Sequence, residues 1–430
     1  MNGTTSLPAK AAGRDVGIGV LGYGFMGRAH TFAYQRLALV APELQIAPRL
    51  VAIAGRTADK VAAAATRFGY ARHYTDWREL LQDDEVSVLD NCTVPYMHAE
   101  PSIAALEAGK HVICEKPLAP TLAEARAMRD AAARSVAKTM CGFNYRFLPA
   151  VRLARQLIDE GAIGRVYMFR AHYLQEGRHD PARPGFVGPE ALGRGALAGL
   201  GSHVIDLARF LVGEPVAVSA LLATKIRNRP HPRQPGETVA VADDDLFHCL
   251  VEFEGGATGI LEASYVSAGR KNYFSWEING AKGSLRFNLE RLNELEVYLV
   301  GQPRPDAAGF ERVLVTEPEH PFLSQWWPRG HVLGWEHTFV HELQHFLACV
   351  VTGRPVSPEG ATFEDGYRAA LVSEAICKSA AMGRRVPVAE AESEAEGPHL
   401  SPHHRSRGGR RQELRQKGDQ LGAAADREAE

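Results

Sequence analysis

A glycine turn between an apolar run and a helical pattern constrains this chain more than any other feature. Gly22, Gly24 and Gly27 follow the run Val16–Leu21 and precede a pattern that predicts a helix over 28–39. The first glycine permits a tight turn, the second lets backbone approach a phosphate, and the third lets helix and strand pack closely. Helix N-terminal amides and the helix dipole then face negative charge. The same glycines also suit an ordinary βα turn, but the flanking strand and helix favour a dinucleotide pyrophosphate site. Gly22, Gly24, Phe25, Met26 and Gly27 are its expected contacts.

The grammar around this turn predicts an α/β Rossmann unit. From Val16 to about Cys141, short apolar runs alternate with helical patterns, which implies a parallel sheet covered on both faces. The stretch from Val40 to Arg49, with Pro42 and Pro48, reads as an extended loop. After Pro149 the pattern changes to one helix and then mostly long strands. Two hairpins are expected, over 245–266 and 273–288, and helices over 338–351 and 363–382. This predicts an α+β C-terminal domain with a large open, mostly antiparallel sheet. The expected organisation is a disordered leader at 1–14 and a dinucleotide-binding domain at 15–145. A substrate-binding and oligomerisation domain follows at 146–388, then a disordered polar tail at 389–430. A one-sided sheet of that size needs cover, so a homo-oligomer is expected.

Composition narrows the class. Over 430 residues, 49 Lys and Arg nearly balance 51 Asp and Glu, which points to neither nucleic acid nor membrane as a partner. The basic cluster from Arg405 to Lys417 reads as part of a solvated tail. No secretory signal or membrane-length apolar stretch is visible. The 6 cysteines form no C-x-x-C pair, so buried free thiols in a reducing cytoplasm are expected.

Two further segments carry chemistry. The second strand ends Ile53-Ala54-Gly55-Arg56-Thr57, with no carboxylate to hold ribose hydroxyls. Arg56 suits a 2′-phosphate, so the reading leans to NADP and leaves NAD open. Cys114-Glu115-Lys116-Pro117 follows another strand, at the end that faces the ligand crevice. A lysine there can stabilise an alkoxide or donate a proton; read alone, it is more often solvated.

The glycine turn, Glu115-Lys116-Pro117-Leu118, Gly142-Phe143-Asn144-Tyr145-Arg146 and Gly201-Ser202-His203-Val204-Ile205-Asp206 occur together in that order. Over about residues 15–388 the chain resembles the glucose-fructose oxidoreductase, inositol dehydrogenase and rhizopine-catabolism (Gfo/Idh/MocA) family, with inositol and levoglucosan dehydrogenase-like members nearest. The resemblance implies hydride transfer between a nicotinamide cofactor and a secondary hydroxyl of a cyclic polyol or sugar. It implies Lys116 and His203 as catalytic residues and no metal. Cofactor contacts are expected at Arg56, Thr93, His98, Glu115 and Lys116, and substrate contacts at Lys116, Tyr145, Arg146 and His203. Phe25, Trp326, Trp327 and Trp335 are candidate walls for a sugar face.

The chain departs from the family at two places. Gly199 stands where relatives often carry an aspartate, and Val94-Pro95 where they usually show Pro-Asn. Gly199 keeps a rival open, a dinucleotide-binding regulatory protein with impaired catalysis. A remote rival is a zinc protease, from His341-Glu342-Leu343-Gln344-His345.

Overall fold

The computed structural model describes residues 14–40, 46–188 and 192–394. The basic cluster from Arg405 to Lys417 and nearly all of the expected leader and tail lie outside these. The first half runs Arg14–Leu21 (β1), Phe25–Val40 (α1), Ile46–Ala54 (β2), Ala58–Phe68 (α2), Arg72–Tyr74 (β3) and Trp77–Gln82 (α3). It continues with Val88–Asn91 (β4), Ala99–Glu107 (α4), His111–Glu115 (β5), Leu122–Arg134 (α5) and Thr139–Gly142 (β6). The six strands pair in parallel in the order β3-β2-β1-β4-β5-β6. The order reverses between β1 and β4, so a crevice opens at the carboxyl end of β1.

Val16, Ile18 and Val20 are buried on β1. Between them Gly17 admits the segment that leads into β4: a Cβ there would lie 1.7 Å from the Glu85 carbonyl oxygen. The predicted loop over 40–49 is corrected in part, because Ile46–Arg49 already pair with Arg14–Gly17 in β2. Pro48 is tolerated in this strand because β3 reaches only Ala52–Ala54, leaving the edge beside Pro48 unpaired.

The second half opens with Pro149–Asp159 (α6) and Val166–Leu174 (β7). A π-helical turn, Leu197–Gly201, runs into Ser202–Leu211 (α7). Then come Pro215–Ala223 (β8), Asn228–Pro230 (β9), Thr238–Ala240 (β10), Leu246–Phe253 (β11), Thr258–Ser264 (β12), Tyr273–Gly280 (β13), Gly283–Asn288 (β14), Glu294–Leu299 (β15) and Glu311–Leu314 (β16). The last elements are His337–Thr352 (α8), Phe363–Met382 (α9), Val386–Pro387 (β17) and Val388–Glu394 (α10). Nine strands form one sheet, β16-β15-β14-β13-β7-β12-β11-β8-β17. Only β7 and β12 pair in parallel within it.

Both hairpins form as expected, β11 with β12 and β13 with β14. Helix α9 starts at a capping box, in which Thr362 and Asp365 exchange side-chain and backbone bonds. Three features go beyond the sequence reading. Strand β8 stops at Ala223, because the Asp245 carboxylate takes the amides of Lys225 and Ile226 and turns the chain. The small hairpin β9–β10 follows that turn. The folded part also runs past 388 into α10, where Ala391 is buried.

Phe247, Cys249, Val251 and Phe253 alternate inward along β11, while His248 and Leu250 face outward. Helices α7 and α9 pack against the inner face. The outer face shows Leu221, Leu250 and Ile260, which are 56%, 61% and 45% exposed. Helix α8 returns to the parallel sheet: Phe339, Val340, Leu343 and Phe346 share one core with Ile18, Val20, Ile53 and Ile113. Five of the cysteines are buried and Cys377 is exposed, all as free thiols. Among the described residues no helix is long and apolar enough to cross a membrane.

Candidate active site

The glycine turn builds a cradle at the crevice. Gly22 has φ +105°, a conformation that L side chains rarely adopt, and a Cβ on Gly27 would fall 2.0 Å from the Gly22 carbonyl oxygen. At Gly24 an added Cβ meets nothing within 4 Å, so the space above the start of α1 is open. No acidic side chain stands in the first turn of α1. Open space, helix amides and absent negative charge fit a dinucleotide pyrophosphate. At the end of β2, Arg56 is exposed, and the Tyr23 ring covers Gly55: a Cβ there would lie 2.2 Å from Tyr23 Cε1.

A cavity of about 420 Å³ adjoins this cradle. Phe25 and Met26 line one side; Glu115, Lys116, Tyr145, Gly199, His203 and Tyr265 are also in its wall. Lys116 precedes a cis peptide bond to Pro117. Its Nζ donates to the Gly199 carbonyl at 2.9 Å, within the π-helical turn. Burial lowers the Lys116 pKa, and the Glu115 charge opposes that shift. His203 sits on α7, one helical turn after Gly199. Burial, assisted by the Lys116 charge, holds its pKa well below the ordinary value. Its ring lies tilted at 42° against Tyr145, with centroids 4.5 Å apart, and its nitrogens make no hydrogen bond among the described residues.

A polar chain runs along the cavity. The Tyr145 and Tyr173 hydroxyls are 2.9 Å apart, and Tyr173 donates to Asn272 Oδ1 at 2.6 Å. Gln175 donates to the same oxygen at 2.7 Å. Trp335 stacks on Phe25 with centroids 5.5 Å apart and forms a flat wall.

Behind the cavity lies a buried ionic array. His30 Nδ1 bonds Asp90 at 2.8 Å and Nε2 bonds Glu115 at 3.0 Å. The Tyr34 hydroxyl and the Cys92 thiol also donate to Asp90. Burial lowers the His30 pKa, but Asp90 and the groups around it outweigh this and raise it well above the ordinary value. The sequence reading missed His30, Asp90, Tyr173, Gln175 and Asn272. His30 follows Gly27 by three positions on α1, which is the one local signal that it faces the sheet.

The structure brings Lys116, Tyr145, His203, Glu115, Phe25 and Met26 into one cavity wall. Other expected contacts lie elsewhere. The expectation of a substrate contact at Arg146 is corrected. Its guanidinium is buried, bonding Asp206 at 2.6 Å and Asp365 at 3.2 Å, because a buried cation requires paired carboxylates. His98 is buried behind the cavity, its ring spanning the carbonyls of Pro117 and Thr93. The Thr93 hydroxyl donates to Asn91 at 2.6 Å. Trp326 donates to His341, and Trp327 is 57% exposed; neither lines the cavity.

The zinc-protease pattern does not assemble. His341 is held by the Phe147 carbonyl and the Trp326 indole, and His345 by the Val356 carbonyl. Glu342 is buried, with both carboxyl oxygens unpartnered. Among the described residues, only His30, Asp90 and Cys92 bring three metal-ligating atoms within 4.8 Å, and hydrogen bonds account for that cluster.

Comparison with known proteins agrees with this geometry. A family model described as "Oxidoreductase family, NAD-binding Rossmann fold" matches residues 16–143, and "GFO/IDH/MocA C-terminal domain" matches 151–286. Levoglucosan dehydrogenase of Pseudarthrobacter phenanthrenivorans is 40% identical over 382 residues, 86% of this chain and 97% of the relative. Inositol 2-dehydrogenase of Rhizobium meliloti is 27% identical over 380 residues, 87% of this chain and 99% of the relative. A solved structure of levoglucosan dehydrogenase with NADH and L-sorbose superposes with TM-score 0.83 at 41% identity, covering 87% of this chain and 99% of that one. Both domains thus match relatives that are covered nearly end to end, and this chain belongs to the Gfo/Idh/MocA oxidoreductase family.

Proposed function

We propose that this protein is an NAD(P)-dependent dehydrogenase acting on a secondary hydroxyl of a cyclic polyol or sugar. One observation carries the reading: the Lys116 ammonium and the unengaged His203 ring share a cavity that opens onto a glycine cradle. When bound, the dinucleotide supplies the hydride acceptor or donor. Lys116 stabilises negative charge on the reacting oxygen. His203 takes the alcohol proton during oxidation and returns it in reduction. Burial keeps its imidazole neutral, the form that accepts a proton. Tyr145, Tyr173, Asn272 and Gln175 offer the mixed donors and acceptors that a polyol requires, and Trp335 offers a flat apolar face.

The finer parts of the proposal are separate. Residues 15–145 bind the cofactor, and 146–388 bind substrate and a second subunit through the outer sheet face. Arg56 favours NADP through its 2′-phosphate, with NAD the competing cofactor. The free thiols accord with a cytoplasmic enzyme. Absorbance at the reduced nicotinamide band, with NAD and NADP over a panel of inositols, hexoses and anhydrosugars including levoglucosan, tests the reading. Tight dinucleotide binding without turnover of any of them selects the regulatory reading that Gly199 keeps open. If Arg56→Ala leaves the NADP to NAD ratio of kcat/KM unchanged, the NADP preference is wrong.

A further inference from the structure

The array beneath Lys116 is more elaborate than a strand end requires. Glu115 lies in the cavity wall, and its Oε2 accepts the Lys116 amide at 3.1 Å. Its other oxygen takes His30 Nε2, so both carboxylate oxygens are held. His30 is fixed in turn through Nδ1 by Asp90. Gly142 makes room for this arrangement: a Cβ there would lie 3.2 Å from Glu115 Oε1 and 3.3 Å from the Glu115 Cα. His30, Asp90 and Glu115 are all buried.

We propose that His30, Asp90 and Glu115 form a positioning device for Lys116, holding a fixed anion beneath the lysine so that its amine stays charged and aimed at the reacting oxygen. The proposal rests on the dehydrogenase reading for its catalytic meaning. The charge balance supports it. Cationic His30 offsets one of the two carboxylates, Asp90 and Glu115, and leaves one net negative charge. Glu342 adds none, because burial pushes its carboxyl well above the usual range, with His30 opposing and Glu115 and Asp90 adding. The other groups facing the lysine do not replace that anion. Cys141 is a buried thiol, Arg194 is a like charge, and His203 is held neutral. Without Glu115, the lowering of the Lys116 pKa by burial would go further unopposed.

Competitive labelling with acetic anhydride, read by mass spectrometry on the folded, full-length protein, tests this without requiring turnover. Only the uncharged amine reacts, so the Lys116 rate at fixed pH reports its charge. In Glu115→Gln the Lys116 rate at pH 8 should rise about tenfold, the equivalent of one pK unit. Exposed lysines serve as internal references. Glu342→Gln, which removes no charge, should leave the rate unchanged. An unchanged rate in Glu115→Gln overturns the proposal. If that variant does not fold, the wild-type titration decides: a Lys116 midpoint below neutral pH overturns it, and one above supports it. The kinetic counterpart is an alkaline limb of kcat that moves to lower pH in Glu115→Gln while KM changes little. Absence of turnover by the wild type with every sugar would instead sink the dehydrogenase reading, which the labelling result does not touch.

Discussion

At the scale of single residues, the two side chains proposed as catalytic were readable because each lies inside a short motif. Lys116 follows a strand at the crevice, and His203 lies at the start of a helix after a glycine pair. Lys116→Met and His203→Gln should each lower kcat/KM by about 10²–10⁴-fold with little change in unfolding midpoint, measured by steady-state kinetics beside thermal melts. What the sequence hid were partners distant along the chain. His30 meets Asp90 and Glu115 across 60 and 85 positions, and nothing local to α1 announces either carboxylate. Arg146 was misread for the same reason, since Asp206 and Asp365 claim it from far away in sequence. Gly199 yields a sharper outcome. A Cβ there would lie 2.1 Å from the Tyr265 hydroxyl oxygen and 3.1 Å from its ring carbon Cζ. Restoring the aspartate with Gly199→Asp should therefore lower both melting temperature and activity, by about 1–3 kcal/mol in stability. Adding Tyr265→Ala should recover the stability. A fully stable, more active single variant would show that Tyr265 yields freely.

At the scale of elements, helices and hairpins were legible where local rules act alone. Thr362 and Gly383 bracket α9, and Glu254-Gly255-Gly256 turns the β11–β12 hairpin. Limits set by tertiary contacts were not legible, such as the Asp245 carboxylate that ends β8 or the open edge that lets Pro48 join β2. Helix α8 carries the clearest case, because a metal-like motif proves to be packing. His341 is fully buried, and its folded pKa is about 3 against an ordinary 6.5. Below about pH 6.5 the unfolded chain takes up a proton there that the folded chain refuses. Stability is thus lost as pH falls toward 3, by up to about 1.4 kcal/mol per pH unit from this group. Urea midpoints from pH 7.5 to 5 should fall less steeply in His341→Asn than in wild type. Glu342→Gln replaces an uncharged acid by its isostere and should stay within about 1 kcal/mol of wild type in urea unfolding. Glu342→Lys should fail to fold.

At the scale of the whole molecule, the order of βα units followed by strands foretold a parallel sheet and a mostly antiparallel one, but not the strand order within either. The return of α8 to the parallel sheet was not visible, since a helix pattern says which face is apolar but not which sheet it meets. On the outer face of the large sheet, Leu250 lies beside Ile260 on one neighbouring strand and Ser219 on the other. If a second subunit covers this patch, Leu250→Glu should shift sedimentation toward a smaller species at micromolar protein. An unchanged profile would place the assembly contact elsewhere. The lysine tether to the Gly199 carbonyl links segments 83 positions apart. The amine comes from the first half of the chain and its anchor from the second, so a movement that separated the two would break this bond.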